Sequence, residues 1–336
     1  MAEVAAVSDD LTVMEAEFPA YDIWREELPG RTMYVARTRR RDLNPYSVAT
    51  QDLGELCDAL EPARGVRAEG PAALTSARPN IARMYEYWLT GTGPRPPDRA
   101  AADDVLARFP EVAEVARANR AFLSRAVRYV AKRGITQFID AGSGLPTSPN
   151  VHEIACSVTP ATRVVYADRD PAVVAHTRAM LAAENKVRVV AGDIRTPSSV
   201  LNDPALNDLI DRSKPVCVLL MSVLHFLPAA EADAAVARFR RWMKPGSYLI
   251  ISAGTSSGTD PELINTLRNA YHGTAPVTGR TSAEIGAWFE GFDLVPPGLV
   301  NVWAWRPGNS WRPTTSRARF LGGVGRKTSE SRRSPA

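Results

Sequence analysis

The chain has 336 residues, 45% of them hydrophobic and 23% charged, with a formal net charge of +4 at pH 7. That length supports a sizeable buried core, in one large domain or in a large and a small one. The composition excludes a disordered or fibrous chain, and so slight a positive excess, part of it in the terminal "GRKTSESRRSPA", argues against a nucleic-acid partner.

Cys57, Cys156 and Cys217 lie far apart without metal spacing and read as reduced thiols of a cytoplasmic protein. No run approaches the ~18 apolar residues of a membrane span, and the acidic start "MAEVAAVSDD" is not a signal peptide, so no membrane partner is expected.

In chain order, residues 1–16 are expected to be a disordered leader. Residues 17–61 read as a small strand-strand-helix module: "YDIWREE" and "RTMYVARTR" alternate around "LPG", and Leu53, Leu56 and Leu60 then fall at helical spacing before Pro62. Residues 62–76, rich in Pro, Gly and Ala, are a linker. A large domain is expected over 77–326, with a helical lead-in over 77–134. There "ARPNIARMYEYWLTG" puts Ile81, Met84, Tyr85 and Trp88 on one face, and Val112, Val115, Phe122, Ala126 and Val130 form a second stripe. Residues 327–336 are expected to be a disordered tail.

After Gly134 short apolar runs alternate with helical stretches: "QFIDAG", "RVVYAD", "VRVVAGD", "PVCVLLMS" and "GSYLIIS". Strands separated by helices imply parallel pairing through crossovers, and their near-continuous apolarity implies helices on both faces. "FDLVPPGLVNVWAW" and "ARFLGGVG" read as two closing strands. The fold class is therefore α/β, a doubly wound, mostly parallel sheet.

Ligands of such sheets bind outside the carboxyl ends of the strands. The first strand ends in "FIDAGSGLPT", where Gly142 and Gly144 allow a sharp turn and a close approach to a ligand. A dinucleotide fingerprint requires a third glycine where Thr147 stands, and Asp140 is awkward beside a pyrophosphate. The second strand ends at Asp168, suited to ribose hydroxyls, and the third at Asp193, suited to an exocyclic amine. The flanking Arg169 and Ile194, and Ser222 at the end of the fourth strand, belong to the same candidate edge. Three strand-end acids beside a two-glycine turn suit a nucleoside that carries positive charge and no phosphate, as S-adenosylmethionine does.

At these residues the sequence resembles the S-adenosyl methyltransferase family of actinobacteria, a branch of the class I, Rossmann-like methyltransferases. The resemblance rests on "FIDAGSGLPTSPNVHEIA", "RVVYADRDPAVVAHTRAML", "SVLHFLP", "PGSYLIIS", the lead-in helices and "FLGGVGRK", and spans about residues 76–327. It implies a seven-stranded sheet with one antiparallel strand and S-adenosylmethionine as cofactor. It leaves the methyl acceptor open. One stretch departs from the family pattern: after "YWLTG" a Gly-Lys-Asp-Asn-like run is replaced by "TGPRPPD". If that loop helps to close the site, cofactor binding is weakened or the substrate differs.

His225, just past the fourth strand, is the candidate proton acceptor, with a packing role as the plainer alternative. Tyr85, Trp88 and His272 are candidates for a lid or a substrate wall, against core packing for the aromatics and a surface loop for His272. His152 and His176 fall on helices and read as structural or exposed. The leading expectation is a methyltransferase with a small-molecule acceptor and no metal. A nucleoside-binding protein without turnover and a nicotinamide-dependent oxidoreductase are the alternatives.

Overall fold

The computed structural model describes residues 2–28, 30–38, 47–65, 79–91, 96–271, 274–307 and 319–329. Contacts divide the chain into two compact units, 1–77 and 78–336.

In the first unit, the segment expected as a disordered leader carries helix α1 (Ala2–Glu17), and three strands stand where two were expected. β1 (Tyr21–Leu28), β2 (Arg31–Thr38) and β3 (Ser47–Thr50) form an antiparallel sheet in that order, followed by α2 (Leu53–Leu60). Met14 and Phe18 account for the first correction. Met14, with Phe18 just past the helix, is buried with Tyr21, Ile23, Leu56 and Leu60, so the end of the leader is held by a surface distant in sequence. β3 has only four residues and is held by its pairing with β2, from Tyr34↔Thr50 to Arg37↔Ser47. Asp52 caps α2 by accepting from the Glu55 backbone N–H at 2.9 Å. Of the expected linker, residues 66–76 lie outside the described residues.

The second unit opens with α3 (Ile81–Thr90), α4 (Pro96–Arg108) and α5 (Val112–Ala131). Then follow β4 (Gln137–Ala141), α6 (Val151–Cys156), β5 (Arg163–Asp168), α7 (Pro171–Met180), β6 (Val187–Ala191), α8 (Ser198–Leu201), α9 (Pro204–Leu209), β7 (Cys217–Met221) and α10 (Ala229–Trp242). The chain closes with β8 (Tyr248–Thr255), α11 (Pro261–Ala270), α12 (Ser282–Ala287), β9 (Phe292–Leu294), β10 (Val300–Asn301) and β11 (Arg319–Lys327). None of the described helices is long and apolar enough to cross a membrane.

Strand order is β10-β11-β8-β7-β4-β5-β6, with β9 also on β11. β6, β5, β4, β7 and β8 are parallel, and β11 runs against β8. β9 and β10 are two pieces of one edge, both antiparallel to β11. Pro296 and Pro297 stand between them, and without N–H groups they cannot continue the ladder. Side chains alternate between two cores. Phe138, Cys217, Leu219 and Ile250 join the α3–α6 side, while Ile139, Val218, Leu220 and Ile251 join the side of α8, α9, α10 and α12. The expected tail begins inside a strand, since the Lys327 N–H donates to Ser247 O at 2.7 Å; residues 330–336 lie outside the described residues.

The chain steps outward from β4 to β5 and β6, then returns to place β7 on the other side of β4. This reversal between β4 and β7 opens a crevice at their carboxyl ends.

Candidate cofactor and acceptor site

The turn after β4 is pinned to the end of β5. Gly142 N–H and Ser143 N–H both donate to Ala167 O, at 2.7 and 3.1 Å, and Gly144 N–H donates to Asp168 Oδ2 at 2.9 Å. Gly142 has φ +78°, and a Cβ there would come within 2.6 Å of Val223 Cγ1. Only glycine lets the β4 turn and the β7 turn approach so closely. On the β7 side Ser222 is itself left-handed, with φ 56°, and its N–H donates to Ser252 O at 3.0 Å.

Asp168 Oδ1 accepts from Asp170 N–H at 2.9 Å, so each carboxylate oxygen uses one lone pair on the backbone and keeps another. Burial raises its pKa, and the two backbone N–H groups pull it back. Exposed Arg169 lowers both Asp168 and Asp193. Gly192 N–H donates to Asp168 O at 3.0 Å, which brings the end of β6 and Asp193 alongside. Burial would raise the Asp193 carboxyl, but the Arg195 side chain (Nε to Oδ2, 2.8 Å) and backbone N–H hold it below its usual value. Ile194, next in sequence, is buried.

Asp140 is buried and its carboxyl makes no hydrogen bond among the described residues. Burial pushes its pKa up to about 7 against the pull of Arg120, with Asp168 adding to the rise. Arg120, unmarked by any sequence motif, reaches from α5 into this turn. Its Nη2 donates to Thr147 O and to Pro149 O (2.8 Å), while its buried Nε has no partner among the described residues.

The lead-in helices lie over the same turn. Asn80 caps α3, its Oδ1 accepting from Ala82 N–H at 2.8 Å, and its Nδ2 donates to the carboxylate of Asp170, which caps α7. Ala82 Cβ stands 3.6 Å from where a Cβ on Gly144 would be. Asp98 belongs to the stretch that departs from the family pattern. It is buried, accepts from Asn80 N–H at 2.8 Å and pairs with Arg83 at 2.6 Å, so Asp98 ties α4 to the start of α3.

Past β7, His225 is buried against Phe226 (ring centroids 4.2 Å) and Phe320 (5.6 Å). Burial, with nearby Arg280 adding to it, pushes its pKa down to about 4. The ring is neutral near pH 7, able to accept a hydrogen bond but poor at keeping a proton. Trp88 is buried, donates to Ala102 O at 3.3 Å and meets Tyr271 edge-on at 6.2 Å. Tyr85 donates to Ala116 O at 3.1 Å and accepts from Asn119 Nδ2 at 2.9 Å. His272 lies outside the described residues. Thus Asp140, Gly142, Gly144, Asp168, Arg169 and Asp193 share one crevice edge, with Ser222 and His225 on its β7 side. Arg120, Asn119, Tyr271 and Arg280 are additions from the fold.

A doubly wound sheet with one reversed strand, a two-glycine turn and acids along its carboxyl edge defines a class I, Rossmann-like methyltransferase that uses S-adenosylmethionine. Comparison with known families narrows this. Residues 67–328 match the model of a family described as S-adenosyl methyltransferase, and the chain belongs to that family. A candidate methyltransferase from Thermobifida fusca YX is 38% identical, over 76% of this chain and 97% of its own, with a TM-score of 0.73. A DUF574 family protein from Streptomyces avermitilis MA-4680 is 37% identical, over 74% and 98%, with a TM-score of 0.69. No curated protein matches the chain.

Proposed function

We propose that residues 78–336 transfer a methyl group from S-adenosylmethionine to a small-molecule acceptor held above the carboxyl ends of β4 and β7. The observation that carries this reading is the clasp between Asp168 and the Gly142–Gly144 turn. It leaves one lone pair on each carboxylate oxygen uncommitted at the crevice edge, beside a backbone that no Cβ obstructs.

The residues fit the cofactor. Asp168 would accept from the ribose hydroxyls. Asp140, held near neutrality by burial, would gain a cationic neighbour in the sulfonium and ammonium groups. Asp193 and Ile194 would border the adenine, with Arg195 sharing the Asp193 carboxylate, and Arg169 would flank the ribose side. Gly142, Gly144 and Ser222 would give backbone contact. The guanidinium of Arg120 would take the amino-acid carboxylate. When bound, the cofactor supplies an electrophilic methyl: the acceptor's lone pair forms the new bond as the carbon–sulfur bond breaks and sulfur keeps that pair. The chain's own task is alignment, exclusion of water by α3 with Tyr85 and Trp88, and removal of the proton from a hydroxyl or amine acceptor. His225 would accept that proton through a hydrogen bond and release it at once to solvent, because its burial disfavours the imidazolium.

A small acceptor is favoured over nucleic acid by the net charge of only +4. The free thiols Cys57, Cys156 and Cys217 suit the reducing cytoplasm. The test is incubation with methyl-labelled S-adenosylmethionine and fractionated cell extract. A labelled small product is expected. Tight binding of the cofactor with no labelled product from any fraction would favour a binding protein instead.

A further inference from the structure

The wall of the crevice beyond β7 holds unsatisfied hydrogen-bonding groups set among aromatic rings. Tyr85 and Asn119 satisfy one another on one side only, leaving the buried Asn119 Oδ1 without a partner among the described residues. Buried His225 Nδ1 also has none. Tyr271 is buried, its hydroxyl makes no hydrogen bond among the described residues, and burial first, with nearby Tyr85 adding to it, raises its pKa. Rings link Tyr271 and His225 in one run, with Trp88 one turn after Tyr85 on α3: Trp88 to Tyr271 at 6.2 Å, Tyr271 to Phe226 at 5.7 Å, Phe226 to His225 at 4.2 Å and His225 to Phe320 at 5.6 Å.

A purely structural aromatic cluster would leave such polar atoms solvated or paired, because an unpaired buried acceptor is costly. Asn119 Oδ1 can only accept, so what satisfies it must donate. Edge-on and tilted rings favour a flat π-system packed beside them over a saturated chain. Arg120 near Tyr85 and Arg280 near His225 add positive potential at both ends of the run. That potential eases loss of the hydroxyl's proton as the methyl arrives.

We infer that the run Tyr85–Tyr271–Phe226–His225, closed by Trp88, Asn119 and Phe320, is the acceptor site, and that it takes a planar aromatic or heteroaromatic molecule bearing a phenol-type hydroxyl. This inference rests on the methyltransferase reading above and names the acceptor class for that site.

The test uses the full chain and begins with S-adenosylhomocysteine binding by calorimetry. Three probes are then titrated into the saturated protein: 1-naphthol, decahydro-1-naphthol and 1-methoxynaphthalene. 1-Naphthol should bind about tenfold or more tightly than either, the first comparison reading the ring and the second the donated hydrogen bond. Phe226→Leu and Tyr271→Leu should erase the preference for the ring and leave S-adenosylhomocysteine affinity within about twofold, with melting curves to establish folding. Equal binding of all three probes to a protein that binds S-adenosylhomocysteine normally would overturn this inference and leave the methyltransferase reading standing. Failure to bind S-adenosylhomocysteine would overturn that reading and the inference with it.

Discussion

Replacing Asp168 with alanine removes two functions of one carboxylate, and the geometry allows them to be separated. Oδ2 holds the Gly144 N–H and Oδ1 the Asp170 N–H, both at 2.9 Å, so half of the acceptor capacity braces the turn and half faces the crevice. A hydrogen bond to a charged group contributes about 1.5–3 kcal/mol, so losing even one ribose contact weakens binding by about tenfold to 100-fold. Asp168→Ala should lower S-adenosylhomocysteine affinity by that factor in calorimetry. The ribose contribution is isolated by comparing adenosine with 2′,3′-dideoxyadenosine. The parent protein should prefer adenosine by about tenfold, and the variant should show almost no preference. Unchanged affinity for S-adenosylhomocysteine would refute the assignment. An equal loss for adenosine and its dideoxy analogue would show that Asp168 serves the turn alone.

Further outcomes follow from the neighbouring groups. Asp140 rests at about 7, so a cationic ligand should release up to about half a proton on binding at pH 7, seen by calorimetry in buffers of different ionisation enthalpy and absent in Asp140→Asn. Its folded value lies above its unfolded one, so the native state holds the extra proton between about pH 4 and 7 and stability falls as pH rises through that window; melting curves of Asp140→Asn should lack this fall. His225 has the opposite sign: held down to about 4, it contributes stability that is full above about pH 6.5 and lost as pH falls toward 4, and His225→Gln should remove that loss. In turnover, any acid limb due to His225 should lie near pH 4, and a limb near 6.5 that vanishes in His225→Gln would contradict its burial. Arg120→Gln should weaken S-adenosylhomocysteine by about tenfold and leave 5′-methylthioadenosine, which lacks the amino-acid part, unchanged; equal losses for both would mean that Arg120 only braces residues 147–149.

The parts of this site that are legible in the sequence are those set by a single strand and its turn. Gly142, Gly144 and Asp168 each end an apolar run, and parallel pairing through crossovers dictates that such ends share one edge. Contacts between distant segments leave no local mark. Arg120 is one polar residue on the amphipathic α5, and its partners Thr147 and Pro149 lie 27 and 29 residues away. The pKa of His225 is lowered by burial, to which Phe320 of a later segment contributes, and then by Arg280, and Tyr271 becomes a wall residue only because α11 returns it to Trp88 and Phe226. The same limit applies to α1 and the residue after it, where Met14 and Phe18 need β1 and α2 to bury against. It applies again to Asp98, which looks like part of a divergent loop until its pairing with Arg83 is formed.

S-adenosylhomocysteine and NADH titrated side by side into the full chain test the cofactor assignment most directly. S-adenosylhomocysteine should bind saturably at one site, with NADH failing to compete, because Thr147 stands where the dinucleotide turn needs glycine and the buried carboxyl of Asp140 lies two residues before its first glycine. Tighter binding of NADH than of S-adenosylhomocysteine would contradict the cofactor site and the methyl transfer built upon it.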